Sequence, residues 1–468
     1  MGDPSAQDLT IALRARVKGD VVGPEDEGYD EARAVWNGMI DRHPAAVVRC
    51  RGEDDVAAAI GAARRAGRRL AVRGGGHNVA GLATTEGGIV ADLSALREVC
   101  VDPERRLVTV QGGATWRDVD AATQQYGLAA PSGLVSETGV AGLTLGGGLG
   151  WLRRKYGLSC DNLVAADLVT ADGEKVRASL TENPDLLWAL RGGGGNFGVV
   201  TSFEFRLHTI GPEVAYALVF YRGAQTRAIL RSFRELAAAL PPEMAPVAFT
   251  GVMAEGEGIP PAVVGEPMLA VAAVYVGPSG EGEERLRPLR ALADPLADLS
   301  GRMPYVEMQQ FLDEEYPRGR RYYWKSAAID ALSDDVLDVI VDAAGRQPSP
   351  LSTIDIWLMG GALGREPQGG SAYAGRSAAY LVNPEANWDD AAYDESNIAW
   401  ARDLIEALRP YTVGNYLNFP GMLEEGERQL RASFGPHYER LAEIKRRWDP
   451  ANFFHLNHNI VPAAKKVA

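Results

Sequence analysis

The sequence predicts an α+β fold in two domains, and three observations carry the prediction. The chain has 468 residues, more than a single hydrophobic core usually organises. Strand-like and helix-like patterns alternate with glycine-rich loops over its first two hundred residues. Near residue 208 the glycine clusters fade and longer uninterrupted segments take over.

The elements follow in order. Residues 45–48 read as a strand, 53–67 as an alanine-rich helix and 70–73 as a second strand, a βαβ unit. It ends in Arg73-Gly74-Gly75-Gly76-His77-Asn78-Val79-Ala80-Gly81, where three glycines without Cβ let backbone N–H groups close around an anion beside an imidazole. Segments 88–93 and 107–110 are strand-like, and 115–126 is a helix stopped by Gly127. A second glycine-dense segment holds Ser132, Gly133, Thr138, Gly139, Gly142, Gly147, Gly150 and Trp151; two such segments in one domain suggest one extended ligand. Residues 163–173 run from strand to turn, 184–190 form a helix, and 199–205 return as a strand. Beyond 208 come the segment 214–221, a helix over 224–240 and the segment 268–276; 364–374, with Pro367 and three glycines, is a long surface loop. The end of the chain reads as helix to 408, strand over 411–419, and an amphipathic helix over 438–448 stopped by Asp449-Pro450.

Composition excludes several classes. With 48 basic against 62 acidic residues and a net charge of -14, the chain is no phosphate-backbone binder. No apolar run approaches membrane-spanning length, and the polar opening segment lacks the cationic head and apolar core of a secretory leader. Three widely spaced cysteines, Cys50, Cys100 and Cys160, suit a reducing compartment, so a cytoplasmic location is expected. No heptad pattern marks a subunit interface, which leaves the oligomeric state open.

Several motifs carry competing readings. Residues 193–198 match G-x-G-x-x-G, yet a helix precedes the glycines and a strand follows, the reverse of a nicotinamide-binding fingerprint. His455 and His458 sit three apart among Asn452, Asn457 and Asn459 with no further ligand cluster, so no metal site is expected. The run Arg153, Arg154, Lys155 reads as a solvated charged stretch. Asp355 interrupts an apolar strand candidate, on the parity of Thr353 and Trp357, and is either an exposed edge residue or a desolvated acid useful as a base. Tyr322, Tyr323, Trp324 and Tyr416 could line a flat aromatic pocket or be plain core.

Taken in order, the histidine loop, the glycine segment 131–150, the stretch 156–162, the Asn196-Phe197-Gly198 turn and the tail 449–454 make the chain resemble the FAD-linked oxidases of the vanillyl-alcohol-oxidase and berberine-bridge-enzyme superfamily. Within it the chain looks most similar to the bacterial branch with hydroxynicotine oxidase and the enterocin-pathway flavin oxygenase. The resemblance implies a two-part FAD-binding domain, residues 1–207 completed by 411–468, around an inserted substrate domain, 208–410, built on an antiparallel sheet flanked by helices. It implies a covalent FAD bonded through His77, and a cofactor site drawn from Arg73, Gly74, Gly75, Gly76, Asn78, Gly81, Ser132, Gly133, Thr138, Gly139, Gly142, Gly147, Gly150, Trp151, Gly198, Val199, Val200, Asn457 and Asn459. Val135 stands where doubly linked members carry a cysteine, so a single tether is expected; Phe419 stands where plant members place a tyrosine base. Asp355 aligns with an acid that faces the flavin, with Asn418 and Tyr416 as its active-site neighbours.

The implied activity is oxidation of a small organic molecule by molecular oxygen, with Asp355 as base and Tyr416 and Asn418 positioning the substrate. Two alternatives stand beside it. One is an oxygenating monooxygenase, for which Thr138 and Leu143 mark the reacting region. The other is a flavin-loaded binding protein of low turnover, suggested by Phe419.

Overall fold

The computed structural model describes residues 5–423 and 426–464. The N-terminal part is built on two sheets. In the first, Ala46–Arg49, Ile89–Asp92 and Leu70–Arg73 lie side by side in that order and run parallel, with Val21–Val22 antiparallel along one edge. Ala46 to Val48 and Ile89 to Ala91 are wholly buried, which is why these strands read as apolar runs rather than alternations. The helix Glu53–Arg65 supplies the crossover; acids fill its first turn and Arg64 and Arg65 its last, in keeping with the helix dipole. Arg73 and Asp92 face each other in register across two strands and form a buried ion pair at 2.8 Å.

The second sheet is antiparallel throughout, in the order Val99–Asp102, Leu107–Gln111, Val199–Arg206, Leu163–Val169, Lys175–Ser179. The helix Trp116–Thr123 begins at a Thr115/Asp118 capping box, tightens into a 3-10 turn and stops at Gly127, whose φ of 63° needs no Cβ. The C-terminal helix Tyr438–Trp448 returns to this part of the molecule, where Tyr438, Leu441, Ala442 and Ile444 share a core with Leu186, Leu187 and Leu190 of the helix Pro184–Leu190. Its end is locked by Lys445, wholly buried, which donates to Asp449, Asn196 O and Phe454 O.

Between these lies a ten-stranded antiparallel sheet, running in one direction from Ala297–Asp298 through Glu213–Arg222, Pro267–Tyr275, Val247–Val252, Thr353–Leu358, Tyr380–Trp388 and Ala327–Ile329 to Thr412–Gly414. One face is covered by helices: Ile229, Leu230 and Phe233 of Thr226–Ala237, Val336, Leu337 and Ile340 of Asp334–Gly345, and Trp400 and Leu404 of Asp394–Leu408 pack on Ile354, Ile356 and Val382. Side chains of opposite parity, Trp357 and Leu381 among them, pack instead toward Leu149, Trp151 and Tyr416.

Two expectations need correction. The strand foreseen over 411–419 is only Thr412–Gly414, because the chain turns inward at Tyr416, whose N–H donates to Ser326 Oγ. Arg153 and Arg154 are not solvated: both are buried, and their guanidinium groups donate to backbone carbonyls, Arg153 to Gly150, Pro246 and Leu358, and Arg154 to Leu240, Met244 and Met359. Carbonyls left over at strand and helix ends demand donors, and two arginines supply them. Among the described residues no helix is long and apolar enough to cross a membrane, and no group of His, Cys, Asp and Glu could hold a metal ion. The three cysteines are unpaired.

Candidate active site

The parallel strand Leu70–Arg73 ends at its carboxyl terminus in the loop 74–78, the usual ligand end of such a strand. Opposite it runs the loop 133–139 leading into the short helix Val140–Leu145. The two loops touch backbone to backbone: a Cβ on Gly75 would lie 2.5 Å from Gly139 N, and one on Gly139 would lie 2.3 Å from Gly75 N. Only glycine at both positions permits that approach. Gly194 to Gly198 and residues 454–458 close the sides, and the helix-free face of the ten-stranded sheet forms the roof. A cavity of about 280 Å³ lies between these walls.

Of the residues singled out in the sequence, the cavity wall contains Gly74, Gly75, Gly76, His77, Asn78, Gly133, Thr138, Gly139, Gly142, Gly198, Val199, Val200 and Asn457, together with Asp355, Tyr416 and Asn418. Others stand behind it. Arg73 is spent on Asp92 and Ala34 O. Gly81 packs on Ile40, Gly147 on Tyr416 and Gly150 on Ser132 O. Ser132 bonds Gln309, Trp151 is core, and Asn459 borders a neighbouring cavity. Val135 and Phe419 both lie on the wall.

His77 is held by an aromatic stack. Trp36 lies parallel to its imidazole with ring centroids 4.0 Å apart and is backed by Tyr322 at 3.6 Å; Trp36 N–H donates to Gly76 O. Nε2 of His77 is buried without a hydrogen-bond partner. Burial pulls its pKa down to about 3, so the ring is neutral and keeps a lone pair. Of the four aromatics flagged in the sequence, Trp324 and Tyr416 line the cavity, Tyr322 stands behind Trp36, and Tyr323 points into the helix-covered core.

At the roof, Asp355 is 7% exposed and accepts from Thr353 Oγ at 2.8 Å; burial raises its carboxyl to about 7. Sequence reasoning missed Glu385, 3% exposed, on the adjacent strand. It accepts from the Tyr316 hydroxyl at 2.7 Å, and burial together with the neighbouring Asp355 holds it well above the ordinary carboxylate range. Its strand carries Asn383-Pro384, which reads as a turn, yet the proline falls where the partner strand breaks between Arg321–Trp324 and Ala327–Ile329, and Asn383 Nδ2 donates to Lys325 O across the gap. Tyr416 accepts from Gly148 N and Leu149 N at 2.9 and 3.1 Å and from Asn418 Nδ2 at 2.9 Å, while Asn418 also donates to Leu143 O. These two side chains tie the C-terminal segment to the glycine loop.

The walls fit an FAD. Gly142 and Gly195 leave their Cβ positions open to the cavity, and Nε2 of His77, Nε2 of His458 and Oδ1 of Asn457 are buried polar atoms lacking a protein partner. Comparison with known proteins points the same way. Residues 44–179 match the FAD binding domain family, and residues 415–461 match the berberine and berberine-like family. An FAD-linked oxidoreductase of Dictyostelium discoideum is 31% identical over 433 residues, 91% of each chain. The crystal structure of 6-hydroxy-D-nicotine oxidase from Arthrobacter nicotinovorans superposes with a TM-score of 0.86 at 29% identity, over 96% of this chain and 98% of that one. A glucooligosaccharide oxidase from Acremonium strictum with a 6-S-cysteinyl, 8α-N1-histidyl FAD shares the fold at a TM-score of 0.85 and 24% identity, over 97% and 99% of the two chains. Sequence, fold and cavity together place this chain among the FAD-linked oxidoreductases of the vanillyl-alcohol-oxidase and berberine-bridge-enzyme superfamily.

Proposed function

We propose that the chain is an oxidase that carries FAD bonded to His77 and oxidises a small organic substrate with molecular oxygen as acceptor. The observation that carries this reading is the neutral, buried imidazole of His77, stacked on Trp36 at the floor of the cavity, with the acid Asp355 on its roof. Residues 1–207 and 411–468 would hold the cofactor, and 208–410 would supply the substrate side. Bound FAD supplies a hydride acceptor. Asp355 takes the proton from the substrate's O–H or N–H group; a carboxyl titrating near 7 is matched to that task at neutral pH. Thr353 orients the accepting carboxylate, and Asn418, fixed by Tyr416 and Leu143 O on the cavity wall, would position the substrate. Val135 leaves the cofactor a single tether, and the three unpaired cysteines suit a cytoplasmic setting.

Acid precipitation tests the tether. Wild type is expected to keep its flavin in the pellet and His77→Ala to release it; flavin released from wild type overturns the linkage. Peroxide release against a panel of alcohols, amines and sugars tests the activity, and Asp355→Asn is expected to slow substrate-driven flavin bleaching by about 100-fold or more. Labelled oxygen appearing in the product in place of peroxide would mark an oxygenase instead.

A further inference from the structure

We propose that Glu385 is the second acid of this site: Glu385 and Asp355 form a pair that holds one proton between its two carboxyl groups and receives the substrate's proton as a unit. The proposal deepens the assignment of Asp355 as base and rests on it.

Strand register brings the two together. Thr353 stands opposite Glu385 and Asp355 opposite Asn383, so the two acids are diagonal neighbours on one face of the sheet, about 7–8 Å apart between Cα atoms, and within electrostatic reach of each other. Both line the same cavity and both are almost wholly removed from solvent. Each accepts one hydrogen bond from a neutral hydroxyl, Asp355 from Thr353 and Glu385 from Tyr316. Tyr316 also feels both carboxyls electrostatically, so it sits against the pair as a whole.

Among the described residues, the ionisable groups around the pair are Tyr316, with Glu315 next to it, from the segment before Arg321–Trp324; Tyr322 of that strand, which also feels Glu385; Tyr416 from the C-terminal segment; His77, neutral, from the glycine loop; and Lys325 at the strand break, whose backbone N–H bonds Pro384 O. No lysine, arginine or histidine among the described residues forms an ion pair with Asp355 or Glu385. Two adjacent buried carboxylates without a cation cannot both ionise cheaply; retaining one proton removes the repulsion and leaves one negative charge. Coupled groups of this kind titrate as a pair.

The chemical step is a proton transfer. The substrate's O–H or N–H bond breaks, an O–H bond forms on the pair, and the electron pair left on the heteroatom closes the double bond to carbon as that carbon gives up its hydride to the acceptor that bound FAD would supply. The pair passes from one proton to two and returns the extra proton to solvent before the next turnover. Burial and the neighbouring Asp355, which outweigh the Tyr316 hydrogen bond, make Glu385 the partner that keeps the resident proton and leave Asp355 as acceptor.

Infrared difference spectra of the flavin-loaded protein, titrated from pH 4 to 9, test this without any substrate. Subtracting the double variant Asp355→Asn/Glu385→Gln isolates the pair. Wild type is expected to hold one protonated carboxyl at pH 7. Glu385→Gln, which still offers an oxygen to Tyr316, is expected to abolish the protonated-carboxyl band that wild type keeps above the Asp355 midpoint. Glu385→Asp, which keeps a carboxyl, is expected to retain that band. Two ionised carboxyls at pH 7 in wild type, or a band above the Asp355 midpoint that survives Glu385→Gln, overturns the pair. The wild-type spectrum decides even if a variant fails to fold. Failure here leaves the catalytic role of Asp355 standing, whereas undiminished flavin bleaching in Asp355→Asn overturns that role and leaves the pair.

Discussion

Asp120 offers a sharp test of how the two halves of the molecule are joined. It lies on the helix Trp116–Thr123, is 1% exposed, and meets Gln309 of the helix Tyr305–Gln310 beneath the loop of Ser132 and Gly133. Gln309 Nε2 donates to Asp120 Oδ2 at 3.4 Å and to Ser132 Oγ, while Asp120 Oδ1 and Gln309 Oε1 lack partners. Burial raises the Asp120 carboxyl from 3.8 to about 7, against a smaller opposing pull from Gln309. The native state therefore binds more protons than the unfolded chain between those values, and wild type loses stability as pH rises through that window. Asp120→Asn removes the titration and offers an amide to Gln309 Oε1. A shift of about three pH units corresponds to roughly 4 kcal/mol, so the variant's advantage over wild type should grow by about that much from pH 4 to pH 8. Urea denaturation of both proteins at half-unit pH steps measures it, and the pH-dependent difference is free of any constant cost of burying the amide. Stability curves that run parallel from pH 4 to 8 would refute the reasoning.

Other expectations follow from the same geometry. Trp36→Leu removes the stack on His77 and should cost about 3 kcal/mol in denaturant while slowing the appearance of acid-stable flavin in apoprotein supplied with FAD, read by in-gel fluorescence. Gly139→Ala and Gly142→Leu should separate two roles of the glycine loop. The first drives a Cβ into Gly75 and should lower the folding yield, whereas the second grows into open cavity and should lower flavin content with the melting temperature of the apoprotein unchanged. Arg153→Met leaves the carbonyls of Pro246 and Leu358 without this donor and should cost about 3–5 kcal/mol, measured by chemical unfolding.

Local signals made much of this fold legible. The helix Pro184–Leu190 is bounded as the sequence suggests, because proline suits a first turn, and Tyr438–Trp448 stops before Asp449-Pro450. The strand Leu70–Arg73 and its histidine loop were equally plain. Long-range satisfaction was not. Arg73 next to a glycine loop looks like a ligand contact until Asp92 is placed across from it, and nothing local reveals that Arg153 and Arg154 will be enclosed by carbonyls from distant segments. At the site, Asp355 stood out as a lone acid in an apolar strand. Glu385 did not, because Asn383-Pro384 imitates a turn unless the break in the partner strand is known. Trp36 and Tyr316 lie in segments with no apolar period, and only the fold brings them to His77 and Glu385.

The ten-stranded sheet has a helix-packed side and a cavity side, and along Thr353–Leu358 and Tyr380–Trp388 consecutive residues belong to opposite ones. Even-numbered positions there answer to the hydrophobic core and odd-numbered positions to whatever enters the cavity, with the exchange made at every peptide. Chemistry and stability are thus written on separate interleaved tracks of the same strands. Substitutions at Thr353, Asp355, Trp357 or Glu385 act on the cavity without repacking a single helix, whereas inserting one residue would exchange the two tracks and destroy both.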